Sequence, residues 1–119
     1  EGENELTCPY QIIRKSSILE AEGHHYFLQV QNGKHRGQSF ALNKLTMIIG
    51  RRGNSDIVLE DETISRRHCQ LEMDNEVWQL TDLDSRNGTY VNGVRIRVHD
   101  VKVGDSLKLG DILLSLKVE

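Results

Sequence analysis

The chain has 119 residues, of which 37% are hydrophobic and 28% charged, and its formal net charge at pH 7 is −3. This length suits one globular domain with its own core, and the composition is typical of neither a disordered nor a membrane protein. A net negative charge argues against a general affinity for nucleic acid or for anionic membranes. No apolar run reaches the roughly 18 residues of a membrane-spanning helix.

Residues 1–23 differ from those that follow. They contain the only proline, Pro9, and their apolar pairs keep neither a strand period nor a helix period. We interpret residues 1–23 as a tail or linker, with a short helix or an extra edge strand as the alternative. Residues 24–119 are then the domain. The start lacks the segments of a signal peptide and an initiating Met, so we expect a piece of a longer protein.

From Tyr26 onward, apolar and polar residues alternate in short runs, as in strands with one buried and one exposed face. The pairs Asn32-Gly33 and Asn92-Gly93 predict turns between such runs. The runs are Tyr26–Val30, Ser39–Leu42, Leu45–Gly50, Asp56–Leu59, Cys69–Asp74, Trp78–Leu80, Thr89–Val91, Ser106–Leu109 and Ile112–Val118. We therefore predict an all-β protein, an antiparallel β-sandwich of about ten to eleven strands, with Met73 and Trp78 in the core.

Three polar segments, residues 51–55, 60–68 and 84–88, interrupt this pattern. Five of the nine arginines lie in or beside them, namely Arg51, Arg52, Arg66, Arg67 and Arg86, whereas no lysine occurs between Lys44 and Lys102. Guanidinium groups bind oxyanions through several directed hydrogen bonds. The segments therefore predict a phosphate-binding loop surface on a β scaffold.

Four motifs occur in order along these segments: Gly50-Arg51, Ser65-Arg66-Arg67-His68, Ser85-Arg86-Asn87-Gly88-Thr89 and Asn92-Gly93. Their register resembles the forkhead-associated (FHA) domain family over residues 26–118. The resemblance implies an FHA/SMAD-like sandwich that binds phosphothreonine peptides through loops at one end, without catalysis and without a cofactor. One departure is Cys69, where the family usually has a small apolar residue.

The resemblance also assigns roles. It implies phosphopeptide-binding residues at Arg51, Ser65, Arg66, Ser85, Arg86 and Asn87, and structural motif residues at Gly50, His68, Gly88, Asn92 and Gly93. Arg51 and Arg66 would supply cations to the phosphate, Ser65 a hydroxyl, and Asn87 an amide for the peptide main chain. Ser85 and Arg86 would touch the phosphate or a side chain downstream of it, whereas Arg52 and Arg67 are second-rank candidates.

Other interpretations exist for the same residues. Arg51 could be a solvated surface arginine or a partner of Asp56, and Ser65 could be a turn residue that binds its own backbone. Asn87-Gly88 could be only a turn, and for Asn92-Gly93 a turn is the preferred interpretation. His68 lies three residues after Ser65, but no acidic third member supports a hydrolase, and the resemblance makes it structural. His24, His25 and His35 have no carboxylate or thiol at ligand spacing, so we predict no metal site.

The leading hypothesis is a phosphothreonine-dependent, non-catalytic sensor or adaptor module of a larger bacterial signalling protein. A phosphate-independent interaction or dimerisation scaffold is the alternative. A nucleic-acid binder is disfavoured because no aromatic residues are interleaved with the basic loops, and no membrane partner is expected.

Two features of the first residues and the cysteines complete the hypothesis. Phosphorylated Thr7 could be bound by the loops of its own or of another copy of the chain. Cys69 lies in an alternating apolar run, so we read it as a buried hydrophobe rather than half of a disulfide with Cys8. Reduced cysteines suit a cytoplasmic protein.

Overall fold

The computed structural model describes residues 25–119, so the predicted tail, with Thr7 and Cys8, lies outside the described residues. The described part forms eleven strands: β1 (Tyr26–Val30), β2 (Ser39–Ala41), β3 (Thr46–Gly50), β4 (Ile57–Val58), β5 (Cys69–Asp74), β6 (Val77–Asp82), β7 (Thr89–Val91), β8 (Val94–Arg95), β9 (Val98–Val101), β10 (Ser106–Leu109) and β11 (Ile112–Val118). Within residues 25–119 there is no helix, and hence none able to cross a bilayer.

The strands form a six-stranded sheet of order β2-β1-β11-β10-β7-β8 and a five-stranded sheet of order β4-β3-β5-β6-β9. Buried side chains from both sheets join in one core cluster, which includes Leu28 and Leu114 from the first sheet and Leu71 and Leu80 from the second. The predicted all-β sandwich is therefore confirmed. Trp78 and Met73 are core residues as predicted, with 2% and 8% of their surfaces exposed.

Alternation along each strand explains how the core is built. In β5 the side chains of Cys69, Leu71 and Met73 are buried, whereas Glu72 and Asp74 between and after them face solvent. Such a period of two turns one face of a strand toward the facing sheet. Burial also raises the pKa of the Cys69 thiol, so this free cysteine stays protonated and packs as a small hydrophobe.

One strand pair departs from the antiparallel prediction. Strand β4 pairs with β3 in parallel, with Ile49 opposite Ile57 and Gly50 opposite Val58. The connection turns back on itself through a bond from the Ser55 amide to the Arg52 carbonyl. The Asp56 carboxylate then accepts the Ile48 amide at 2.8 Å. This edge strand is thus held by a side chain as well as by the ladder.

The two Asn-Gly pairs behave differently. Asn92 and Gly93 have φ angles of 51° and 87° and form the predicted two-residue turn between β7 and β8. At Asn32-Gly33 the prediction of a tight hairpin turn is wrong, because only Gly33 has a positive φ and the connection spans residues 31–38. The Asn32 side chain instead bonds the turn before β11: its Oδ1 accepts the Leu113 backbone N–H at 2.9 Å, and its Nδ2 donates to the Asp111 carbonyl at 3.0 Å. These bonds tie the loop to the turn before β11.

The first and last described residues meet at one end of the sandwich. Strands β1 and β11 are antiparallel neighbours with Tyr26 opposite Val118, and the Glu119 amide donates to the His25 carbonyl at 3.0 Å. At the other end of β11, the Asp111 amide donates to the Thr63 hydroxyl at 2.9 Å. The loop that carries Thr63 therefore lies at the end opposite the two described chain ends.

Candidate functional site

Three loops converge at that end: a first loop (residues 51–56), a second loop (residues 59–68) and a third loop (residues 83–88). Ser65 of the second loop contacts both of the others. Its carbonyl accepts the Arg51 amide at 3.0 Å, and its hydroxyl accepts the Arg86 amide at 2.9 Å. In addition, the Asn87 side-chain amide donates to the Thr63 carbonyl at 2.9 Å. The structure thus brings Arg51, Ser65, Arg86 and Asn87 together.

The first and second loops approach closely because residue 50 is glycine. A Cβ atom on Gly50 would lie 2.0 Å from the Arg66 carbonyl oxygen and 2.6 Å from the Ser55 hydroxyl. Because the Arg66 carbonyl belongs to the backbone, a side chain at residue 50 would force the main chain to move. Gly50 therefore lets Arg51 and Arg66 leave from adjoining stretches of main chain, and both arginine side chains have solvent-accessible surface.

His68 fastens the second loop to the third. Its side chain is fully buried, its Nδ1 accepts the Ser65 amide at 3.1 Å, and its Nε2 lies 2.9 Å from the Gly88 carbonyl. Because Nδ1 accepts an N–H, the ring proton is on Nε2 and is donated to Gly88. Burial lowers the pKa of His68, against the opposing effects of the Gly88 bond and of Asp82. The neutral ring therefore links the second loop to the third through its two hydrogen bonds.

Asp82, at the end of β6, organises the third loop. Its Oδ1 accepts the hydroxyls of Ser85 at 2.5 Å and Thr89 at 2.7 Å, and its Oδ2 accepts the Ser85 amide at 3.1 Å. Burial raises the pKa of Asp82, but the hydrogen bonds from Ser85 and Thr89 outweigh burial, so the pKa is lowered. The sequence reasoning missed Asp82, and its signal would have been a carboxylate three residues before Ser85.

Ser85 differs from the other predicted ligand residues. It is only 8% exposed, and its hydroxyl both donates to Asp82 and accepts the Gly88 amide at 3.0 Å. This hydroxyl is engaged inside the loop and does not face the surface that Ser65 and Arg86 share. Its placement favours a supporting role over contact with a ligand.

Thr63 and Asp61, also missed in the sequence, anchor the second loop. The Thr63 hydroxyl donates to Asp61 at 2.5 Å and accepts the Asp111 amide. The bond from the Thr63 hydroxyl is the largest influence that lowers the pKa of Asp61. Gly110 allows this contact, since a Cβ there would lie 2.4 Å from the Thr63 carbonyl. The loop is thereby fixed from below by the turn before β11.

The converged loops present cations without carboxylate partners. Among residues 25–119 the side chains of Arg51, Arg66 and Arg86 form no ion pair, whereas the Asp56 carboxylate binds Lys44 at 2.9 Å. The suggested pairing of Arg51 with Asp56 is therefore wrong. The Ser65 hydroxyl, fixed as an acceptor by the Arg86 amide, still has its own hydrogen to donate. This surface has the directed donors that a tetrahedral oxyanion needs.

Asn92 lies apart from this surface, whereas the ring of His35 reaches the second loop, with its Nε2 3.4 Å from the Glu60 carbonyl. The side-chain Oδ1 of Asn92 accepts the Ser106 backbone N–H at 3.0 Å, and its Nδ2 donates to the Asp105 carboxylate at 3.2 Å. These two bonds hold the β7–β8 turn to the start of β10. The ring of His35 contacts Gln38 at 3.0 Å. Within the described range no group of three metal-ligating side chains occurs, and His24 lies outside it.

The chain matches one family model and is similar in sequence to bacterial regulatory proteins. A family model described as the cytoplasmic domain of the inner membrane component of T3SS matches residues 29–119. The glycogen accumulation regulator GarA of Mycobacterium tuberculosis is 33% identical over 114 residues, which cover 93% of this chain and 70% of GarA. The oxoglutarate dehydrogenase inhibitor of Corynebacterium glutamicum is 36% identical over 87 residues, which cover 73% of this chain and 61% of the inhibitor.

Solved structures agree with the sequence relatives. A structure from a structural and functional analysis of phosphothreonine-dependent FHA domain interactions has a TM-score of 0.73 at 32% identity, and the match covers 80% of this chain and 97% of that one. The sandwich, the order of the loop motifs and these relatives lead to one conclusion. The chain belongs to the forkhead-associated domain family.

Proposed function

We propose that this FHA domain is a non-catalytic module that binds phosphothreonine-containing peptides or proteins through its three loops, as the sensor or adaptor part of a signalling protein. The observation that carries the proposal is the position of Ser65. Bonds from Arg51 and Arg86 reach it from both sides, so its hydroxyl lies where the two arginine-bearing loops meet. The phosphothreonine-dependent interactions of the solved FHA relative support the same assignment.

The resemblance to the FHA family supplies the roles that we propose. The Arg51 and Arg66 guanidinium groups and the Ser65 hydroxyl would donate to the phosphate oxygens, and Arg86 would add positive potential. Asn87, with one amide hydrogen bound to Thr63, keeps its carbonyl oxygen to accept an N–H of the peptide main chain. Ser85 and His68 would act indirectly, by holding the loops.

The magnitude of the effect is that of a switch. A phosphate group near neutral pH carries three strong acceptor oxygens, and each hydrogen bond to a charged group contributes about 1.5–3 kcal/mol. Two or three such bonds distinguish the phosphorylated from the plain peptide by several kcal/mol, at about 1.4 kcal/mol for each tenfold change in affinity. No covalent bond has to form or break for this discrimination.

The absence of catalysis is part of the proposal. His68 contacts the Ser65 amide rather than its hydroxyl, so the pair lacks the contact by which a base activates a nucleophile. The relatives are named a regulator and an inhibitor, which supports the same view.

Calorimetric titration of matched phosphothreonine, phosphoserine and unmodified peptides tests the function. We expect binding of the phosphothreonine peptide, a loss of at least about tenfold in Arg51→Ala from the missing charged bond, and no loss in Arg36→Ala, which removes an exposed arginine from the 31–38 loop. Equal binding of all three peptides, or unchanged affinity in Arg51→Ala, would reject the proposal.

Three further statements belong to this proposal. The domain would span residues 24–119, the whole protein would work in the cytoplasm, and phosphorylated Thr7 would be one ligand of the loops. Titrating a phosphothreonine peptide of residues 1–14 into the chain carrying Thr7→Ala tests the last statement. Affinity no greater than that of a scrambled phosphothreonine peptide would reject Thr7 as a specific ligand.

A further inference from the structure

A cleft of about 300 Å³ opens at the end of the sandwich opposite the three loops, beside the two described chain ends. Its lining includes Tyr26 of β1, Trp78 of β6 and Leu116 of β11. Val77 and Val103 also line it, and they are 39% and 49% exposed, so the cleft presents apolar surface to solvent. The function proposed above uses none of these residues.

The indole ring of Trp78 carries a buried donor that has no acceptor. Only 2% of this residue is exposed, and its ring meets that of Tyr26 edge to face, with the centroids 5.9 Å apart. Within residues 25–119 no atom accepts the Nε1–H of Trp78. Leaving a buried N–H without an acceptor is unfavourable, and native structures nearly always provide one. An occupant of the cleft that brings a main-chain carbonyl to Trp78 would satisfy this donor.

Charged side chains surround the apolar lining. Glu76, Asp100 and Lys102 are exposed and belong to the cleft, and none of them forms an ion pair within residues 25–119. The cleft therefore presents two carboxylates and one ammonium group to an occupant. An apolar pair with basic residues on one side and acidic residues on the other would complement all three groups.

The chain that precedes the described residues contains such a sequence. It has the apolar pair Ile18-Leu19, with Arg14-Lys15 before the pair and Glu20-Ala21-Glu22 after it. The described chain begins at the cleft, because Tyr26 lines it. From Leu19 to Tyr26 the chain spans at most about 25 Å and has enough residues to turn back. The short connection also keeps the pair at a high effective concentration beside the cleft.

We propose that residues 16–20 dock into this cleft of the same molecule. The side chains of Ile18 and Leu19 pack against Trp78 and Val103, and a main-chain carbonyl of the segment accepts the Trp78 Nε1–H. The contact needs no phosphate and lies at the end of the sandwich opposite the loops. It also shortens the tether that carries Thr7, and so changes the effective concentration of that residue at the loops.

Trp78 is the only tryptophan of the chain, so its indole N–H gives a single signal in the NMR spectrum of the unphosphorylated 119-residue protein. We expect nuclear Overhauser effects (NOEs) between this N–H and methyl groups of Ile18 or Leu19. The double variant Ile18→Ser with Leu19→Ser should remove these NOEs. It should also speed the exchange of the indole hydrogen with solvent about tenfold or more, because two buried aliphatic side chains are lost.

Matched variants separate docking from a general loss of stability. Ile12→Ser with Ile13→Ser removes the other apolar pair of the same segment and should leave indole exchange within about twofold of wild type. Val103→Ser changes the cleft instead of the segment and should speed indole exchange, whereas Val94→Ser removes an exposed valine from β8, outside the cleft, and should not. Unfolding would speed the exchange of the backbone amides of β5 as well, so the indole is compared with these amides in each variant.

Three results would overturn the proposal. If the indole N–H shows no NOE to Ile18 or Leu19, or exchanges at the wild-type rate in their double variant, residues 16–20 do not occupy the cleft. If the Ile12 and Ile13 variant alone speeds indole exchange, another segment is the occupant. If the protection of the indole rises with protein concentration and ultracentrifugation shows a dimer, the occupant comes from a second copy. None of these measurements uses a phosphopeptide, so their outcome is independent of the proposed function.

Discussion

Replacing Ser65 by alanine removes one hydroxyl with two tasks that differ in size. Toward the protein, this oxygen accepts the Arg86 amide at 2.9 Å, and a neutral hydrogen bond of this kind contributes about 0.5–1.5 kcal/mol to stability. Toward the ligand, the hydroxyl would donate to a phosphate oxygen, and a hydrogen bond to a charged group contributes about 1.5–3 kcal/mol. The Arg51 and His68 bonds to the Ser65 main chain do not depend on the side chain.

Ser65→Ala should therefore affect binding more than folding. A stability loss near 1 kcal/mol lowers the Tm of a domain of this size by about 4–8 °C. The lost phosphate bond weakens phosphothreonine binding by about 10-fold to 100-fold. Thermal melting and peptide titration on the same preparation measure both effects. Ser39→Ala, which removes an exposed hydroxyl from strand β2, is the matched control and should change neither quantity.

Two results for Ser65→Ala would contradict a contact between its hydroxyl and the phosphate. If folded Ser65→Ala binds the phosphothreonine peptide within about twofold of wild type, the hydroxyl does not contact the phosphate, because the lost bond is worth at least about 1.5 kcal/mol. If it instead binds phosphorylated and plain peptides with equal losses, Ser65 acts on the peptide chain and not on the phosphate.

Three other changes test the loops. Burial lowers the pKa of His68 below its usual 6.5, so the unfolded chain takes up the proton at a higher pH than the folded one, and the free energy of unfolding should fall as pH drops below about 6.5. Urea unfolding between pH 5 and 8 should show this fall in the control His99→Gln and a weaker fall in His68→Gln. An equal dependence of stability on pH in the two variants would contradict the prediction. Gly50→Ala places a Cβ atom 2.0 Å from the Arg66 carbonyl oxygen, so it should lower the free energy of unfolding by about 1–3 kcal/mol and weaken phosphopeptide binding. The control Gly53→Ala, whose Cβ would have no atom within 4 Å, should be neutral. Equal melting curves for the two variants would refute the close approach of residues 50 and 66. Thr89→Val removes a buried hydroxyl that donates to Asp82, so urea unfolding should show a free energy of unfolding lower by about 1–3 kcal/mol. The control Thr46→Val, on the exposed face of β3, should leave stability unchanged. A Thr89→Val variant as stable as wild type would show that Asp82 does not need this bond.

The sequence predicted those parts of the fold that depend on local pattern. Alternation located β1, β5 and β11 because burial on one face leaves a period of two in the sequence. Strands β8 and β9 left no such signal, since Val94 and Val98 are exposed at 65% and 52%. The parallel pairing of β4 was also missed, and the bond from the Ile48 amide to the Asp56 carboxylate, which helps to hold β4 beside β3, is a contact that spacing does not reveal.

The candidate site divides in the same way. The loop motifs indicated Arg51, Ser65 and Asn87, and the structure brings these residues together. Thr63 positions them through bonds with Asn87 and Asp111, which are distant in the sequence and leave no local signal. Asp82 bonds Ser85 and Thr89, which follow it by three and seven residues, so its signal was local and was overlooked.

The meeting of the first and last described residues has a mechanical consequence. A pull applied to His25 and Glu119 acts on neighbouring antiparallel strands at the same end. The load would therefore unzip β1 from β11 one ladder bond at a time, instead of shearing all the bonds at once. Tension transmitted through flanking chain would open the sandwich at the end away from Ser65, and the loops around Ser65 would be among the last parts to come apart.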